Sequence, residues 1–109
     1  MNRKIIFAAS LLLIAAGAAA RAETRAYPVP WNAKQSGPNI VFTDLPGSGN
    51  IRIFTVSGEE VINISIPAGT NQLAWSVVNS SGRRVASGVY FYLVQGGGTE
   101  TRGKLVVIR

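Results

Sequence analysis

The sequence contains no cysteine and no histidine. Ser-His-Asp and Cys-His catalytic sites are therefore excluded, and so are the usual zinc and transition-metal sites. Without cysteine there are no disulfides and no lipid anchor attached through that residue. The five acidic residues are scattered except for Glu59 and Glu60, whose side chains point to opposite faces of an extended chain. The sequence thus predicts a non-enzymatic protein with no cofactor, no metal and no small-molecule substrate.

A helical period of apolar residues is also missing after residue 22. Short segments rich in β-branched and aromatic residues recur instead, with Gly- and Pro-containing turns between them. This spacing is typical of sandwiches. It predicts an all-β fold, a small seven-stranded antiparallel immunoglobulin-like sandwich. The clearest candidate strands are residues 39–45, 51–56, 60–66, 70–78, 85–94 and 103–109.

The segment 85–94 is the most apolar of these strands. Alternation puts Val89, Phe91 and Leu93 on one face and Tyr90, Tyr92 and Val94 on the other. A strand that is apolar on both faces is expected either to be covered on both or to lie central in one sheet and against another. With Phe91 as a core residue, Phe91→Ala is expected to cost about 3–5 kcal/mol. The three glycines 96–98 join it to 103–109 as a hairpin. The predicted core residues are Phe42, Ile53, Trp75, Gly88, Tyr90, Phe91 and Leu93.

Residues 1–22 have the pattern of a secretory signal peptide, with a basic start, an apolar centre and small residues at the end. The apolar stretch is short for a stable membrane span, so we predict cleavage and export. Residues 23–37 form a Pro-containing lead-in, and residues 38–109 form the sandwich domain. Removing the leader lowers the net charge from +6 to +3. The remaining cations are dispersed, which argues against a nucleic-acid partner.

Several motifs follow one another in order after residue 22: YPVPW at 27–31, IVFTDLP at 40–46, IRIFTVSGEEV at 51–61, LAW at 73–75, SGRRVASGVYFY at 81–92 and GKLVVIR at 103–109. Together they resemble one known family, the C-terminal sorting domains of type IX secretion cargo. The same pattern is similar to the immunoglobulin-like domain of the flagellar hook-capping protein. Two positions depart from the family pattern: Val29 replaces an Asn of the opening motif, and Ser76-Val77 stands where Asp-Gly is usual.

The resemblance implies an exported module, in the periplasm, at the cell surface or outside the cell, that outer-membrane secretion machinery recognises as a protein partner. Recognition is expected in the last strand, formed by Gly103, Lys104, Leu105, Val106, Val107, Ile108 and Arg109. That strand can pair with 89–94, present its other edge to a receptor, or do both. The alternative functions are a structural interaction module of the hook-cap type and the detached tail of a larger exported protein.

Two further features have competing interpretations. Residues 98–104 fit the pattern GxxxxGK, but Leu105 replaces the Ser or Thr of a phosphate loop, so a hairpin loop is favoured. Tyr90, Tyr92 and Trp75 are expected to be core residues whose polar groups are hydrogen-bonded, rather than a platform that binds a ligand.

Lys104→Ala and Arg109→Ala are expected to change stability by less than about 0.5 kcal/mol, as ordinary surface substitutions do.

Overall fold

The computed structural model describes residues 23–109, and within this range it consists of strands and turns without a helix. The predicted signal peptide lies outside the described residues. Across 23–109 no helix has the length and apolarity to cross a membrane. The eight strands are β1 Arg25–Tyr27, β2 Trp31–Asn32, β3 Ile40–Thr43, β4 Asn50–Thr55, β5 Glu60–Ser65, β6 Leu73–Trp75, β7 Gly88–Gly96 and β8 Thr99–Ile108.

These strands form two sheets, which confirms the predicted all-β sandwich. The smaller sheet has the order β1-β3-β6 and the larger one the order β2-β8-β7-β4-β5. All pairings are antiparallel except that of β2 with β8, which is parallel. Residues 23–109 thus contain eight strands, close to the predicted seven, and one of their pairings is parallel.

Two of these strands, β1 and β2, come from the segment predicted as a lead-in. β1 pairs with β3 in the small sheet, and β2 pairs with the end of β8 in the large sheet. Trp31 is 3% exposed, and its Nε1 donates a hydrogen bond to the carbonyl of Gly37 at 3.1 Å. The folded unit thus begins before residue 38, because a large aromatic side chain and backbone pairing tie the segment to both sheets.

The core lies between the two sheets. Phe42 from β3 meets the ring of Tyr92 from β7 edge to face, with centroids 5.3 Å apart, an arrangement that aromatic pairs favour. The Tyr90 hydroxyl donates to the carbonyl of Ala86 at 2.7 Å, and Trp75 Nε1 donates to that of Val78 at 2.9 Å. The residues under 2% exposed are Ile40, Phe42, Ile51, Ile53, Val77, Leu105 and Val107.

β7 has the second of the two predicted arrangements, a central strand in a sheet that packs against another, but the prediction that Phe91 is a core residue is wrong. Tyr90, Tyr92 and Val94 are buried, whereas Phe91 is 43% exposed and Leu93 is half-buried. Gly88, also predicted in the core, is exposed at the start of β7. The reason is that β7 is central within its sheet, but among residues 23–109 only one face of that sheet has another sheet against it.

Candidate functional site

The segment proposed for recognition, residues 103–109, lies almost entirely on β8. β7 pairs with β8 along nine consecutive positions, from Gly88 with Val107 to Gly96 with Thr99. Leu105 and Val107 are 0% and 1% exposed, so they belong to the core. Lys104 and Ile108 point to the opposite face and are exposed. The segment therefore combines a structural face with an accessible one.

Gly103 is the position where β8 passes under an aromatic ring. It lies directly opposite Tyr92 in the β7–β8 ladder, and a Cβ atom at Gly103 would overlap the Tyr92 ring. Packing therefore requires a glycine at position 103, because a glycine in a strand lets a neighbouring ring cover the backbone. The burial of Tyr92 also raises the pKa of its hydroxyl, and the negative charge of Glu23 raises that pKa further.

Arg109 has more contacts than its position after the last strand suggests. Its Nη2 donates to the carbonyl oxygen of Val77 at 3.0 Å, and its Nε donates to that of Val85. Its guanidinium lies 5.1 Å from the centroid of the Trp31 ring, and its backbone N–H donates to Ser87 Oγ at 2.9 Å. Arg109 therefore connects β2 with both ends of the β6–β7 connection.

The acceptor Val77 has an unusual backbone. Its φ is +59° although its side chain is 0% exposed. A left-handed conformation costs an L-residue about 1–2 kcal/mol, whereas full burial of a Val side chain stabilises by about 1.5–3 kcal/mol. Burial of the apolar Val77 side chain thus offsets the strain of its left-handed backbone.

These contacts overturn the expectation that Arg109→Ala is neutral. We predict that Arg109→Ala lowers the free energy of unfolding by about 2 kcal/mol. Hydrogen bonds from a charged donor each contribute about 1.5–3 kcal/mol. Because the two side-chain hydrogen bonds of Arg109 are only part-buried, we expect their combined contribution to lie near the lower end of this range. Urea denaturation measures the difference. Lys104→Ala is the matched control, with an expected change under about 0.5 kcal/mol. Equal midpoints for the two variants would show that the Arg109 contacts contribute nothing.

The outer edge of β8 is partly covered. β2 pairs with Val107 and Ile108 only, and Ala33 N–H donates to the carbonyl of Ile108 at 2.9 Å. The earlier positions of this ten-residue strand have no strand partner on that side within residues 23–109. The edge that this strand could present to a receptor is therefore paired with β2 at its end, and the unpaired part lies upstream of Val107.

Two surface depressions flank β8. One, of about 640 Å³, has mainly apolar walls and lies against the exposed face. The other, of about 750 Å³, includes Glu23, Asp44 and Glu100 among its lining residues. The pKa of Glu100 is lowered by hydrogen bonds from Arg102 and Gln95. Within residues 23–109 no three acidic side chains are grouped so that they could hold a metal ion.

Comparison with known proteins gives one family match. The model of the secretion system C-terminal sorting domain matches residues 25–108. No curated protein matches the chain.

Two solved structures from Porphyromonas gingivalis share the fold. One is PorZ, described as an essential bacterial surface component of the type-IX secretion system. It has a TM-score of 0.66 and 23% identity, over 79% of this chain and 11% of PorZ. The other is dimeric latent PorU, with a TM-score of 0.56 and 19% identity, over 82% of this chain and 10% of PorU. This chain thus spans about a tenth of either protein.

Proposed function

The chain belongs to the family of secretion system C-terminal sorting domains, and we propose that it acts as a sorting and attachment module whose β8 edge is recognised by outer-membrane secretion machinery. Proteins with this domain are exported to the cell surface or the extracellular space. The family is in general non-catalytic, and we propose that this chain is not an enzyme.

The single observation that carries the proposal is the open edge of β8 upstream of Val107. Backbone groups of alternate strand residues point to the same side. The carbonyl of Ile108 faces β2, and the β7–β8 register contains no bulge. The N–H and C=O groups of Lys104 and Arg102 therefore face the same edge as Ile108, away from β7. An extended segment of a receptor can add there as a strand.

The side chains around this edge support a protein partner. Lys104 is exposed and forms no ion pair within residues 23–109. Main-chain hydrogen bonds supply affinity in strand addition, and side-chain contacts supply specificity. An accessible cation beside an open ladder thus provides both parts, while the buried Leu105 and Val107 hold the ladder in register.

The test is an export assay with a substitution that removes one backbone donor. Residues 23–109 are fused behind a periplasmic reporter in a host with a type IX machine. We expect full export with the wild-type domain and a partial reduction with Lys104→Ala, which removes the side-chain charge but keeps the N–H group. We expect loss of export with Lys104→Pro, because Pro lacks that donor but is tolerated where the N–H faces outward from an edge.

Thermal melting of the purified domains checks that Lys104→Pro remains folded. Export of a folded Lys104→Pro fusion at the wild-type level would exclude strand addition at this edge. A reporter that stays periplasmic behind the wild-type domain would exclude the sorting role itself and leave the structural interaction module as the better interpretation.

A further inference from the structure

The outer face of the large sheet carries a continuous band of apolar side chains. Within residues 23–109, four of the six exposed large hydrophobic side chains lie on or beside it: Val56 at 69%, Val89 at 38%, Phe91 at 43% and Ile108 at 41%. We define the outer strip as these four together with the half-buried Phe54, Leu93 and Val106. Large exposed apolar patches usually mark an interaction site.

The ladder registers arrange this face into rows that cross the sheet. One row runs Glu60, Phe54, Phe91, Lys104 across β5, β4, β7 and β8. The next runs Asn63, Arg52, Leu93, Arg102. The first row therefore has an acid at one end, a base at the other and two aromatic rings between them.

We propose that two copies of this chain pair face to face through the outer strip. A two-fold axis parallel to the strands and midway between β4 and β7 places Phe54 of one copy against Phe91 of the other. The same axis places Glu60 against the second copy's Lys104, twice by symmetry. Such an interface is isologous, because both copies contribute the same surface patch.

The charges are suited to this arrangement. Glu60 lies 2.8 Å from Arg52 Nε in an ion pair whose side chains are 41% and 39% exposed, and Arg52 stacks on Phe54 at 5.1 Å. Glu60 thus still has an accessible oxygen surface, and Lys104 has no charged partner within residues 23–109. Pairing brings one lysine to each glutamate beside two apolar rings, where water is excluded.

The size of the face sets the expected strength. Five strands at a spacing of about 4.8 Å and some six residues at about 3.4 Å give a face of roughly 20 by 20 Å. Two such faces bury on the order of 1,000 Å² in total, the lower limit for a specific interface. We therefore expect a reversible dimer with a dissociation constant in the micromolar range.

The experiment uses the protein produced from the full sequence and purified after export, with sedimentation equilibrium over roughly 1–200 μM. Wild type is expected to dimerise. Glu60→Lys and Lys104→Glu each place like charges together, so each variant alone should dissociate at least about tenfold more readily. An equimolar mixture of the two should form heterodimers, because both of its cross-contacts are then of opposite charge.

Two further variants test the apolar part. Phe91→Thr keeps β propensity and should abolish dimerisation, whereas Tyr27→Thr, 52% exposed on the small sheet, should leave it unchanged. Melting curves check that both are folded. A wild type that is monomeric throughout the range overturns the proposal, and its binding to anionic phospholipid vesicles would assign the strip to a lipid surface. Failure of the mixed charge variants to associate overturns the proposed pairing.

Discussion

Phe42→Ala is expected to lower the free energy of unfolding by about 3–5 kcal/mol, the range for truncating a buried aromatic side chain. Phe42 is 0% exposed and supports the ring of Tyr92, which in turn covers Gly103 of β8. Small domains are stable by only about 5–15 kcal/mol, and this one has no disulfide. The variant should therefore be largely unfolded at moderate urea concentrations where wild type remains native.

Phe91→Ala is the matched control in the same fold. With 43% of Phe91 exposed, its truncation should cost about 1–2 kcal/mol, well below the cost expected for a core position. The urea midpoints are compared at a protein concentration low enough to keep both variants monomeric. If Phe91→Ala is as destabilising as Phe42→Ala, the exposed position assigned to Phe91 on the outer face of β7 is wrong.

Gly49→Ala is expected to destabilise by about 3–4 kcal/mol. Gly49 has φ +92°, which costs an L-residue about 1–2 kcal/mol. A Cβ atom there would also collide with the carbonyl of Gln95, and forced repacking typically costs about 1–3 kcal/mol. Gly96 makes the reciprocal approach to the carbonyl of Ser48. The two glycines let the β3–β4 loop lie against the end of β7.

Gly58→Ala separates the two causes. Gly58 has φ +94°, but a Cβ atom there would have no neighbour within 4 Å. It should therefore cost only the backbone strain, about 1–2 kcal/mol, and Gly49→Ala should melt at a clearly lower temperature. Similar melting temperatures for the two variants would mean that the close approach of Gly49 to β7 does not occur.

The strands that carry the apolar pattern could be predicted from the sequence, and their boundaries differ from the structure by a few residues. β7 and β8 are an example, since alternation and the glycine turn at 96–98 define both the strands and the hairpin. The missed strands β1 and β2 flank Pro28 and Pro30. Proline weakens any local strand pattern, and only long-range pairing with β3 and β8 makes these segments strands.

Which face of β7 is buried could not be read from its composition. Tyr90 and Tyr92 are more polar than Val89 and Phe91, yet the tyrosines point inward because the small sheet covers that side and because the Tyr90 hydroxyl reaches a backbone carbonyl. The structural role of Arg109 could not be predicted from the sequence either. Its partners Val77 and Val85 are 32 and 24 positions away, and they accept through backbone carbonyls, which every residue type has.

The parallel pairing of β2 with β8 has a mechanical consequence. The chain enters β2 at Trp31 and leaves β8 at Ile108, and in a parallel ladder these two points lie at opposite ends. Tension applied between the segment before β2 and the segment after β8 therefore loads the ladder in shear, so its hydrogen bonds share the force instead of opening one by one. The guanidinium of Arg109 stacked on Trp31 resists the same sliding motion. The first and last strands of the large sheet are thus held against being pulled apart along the strand direction.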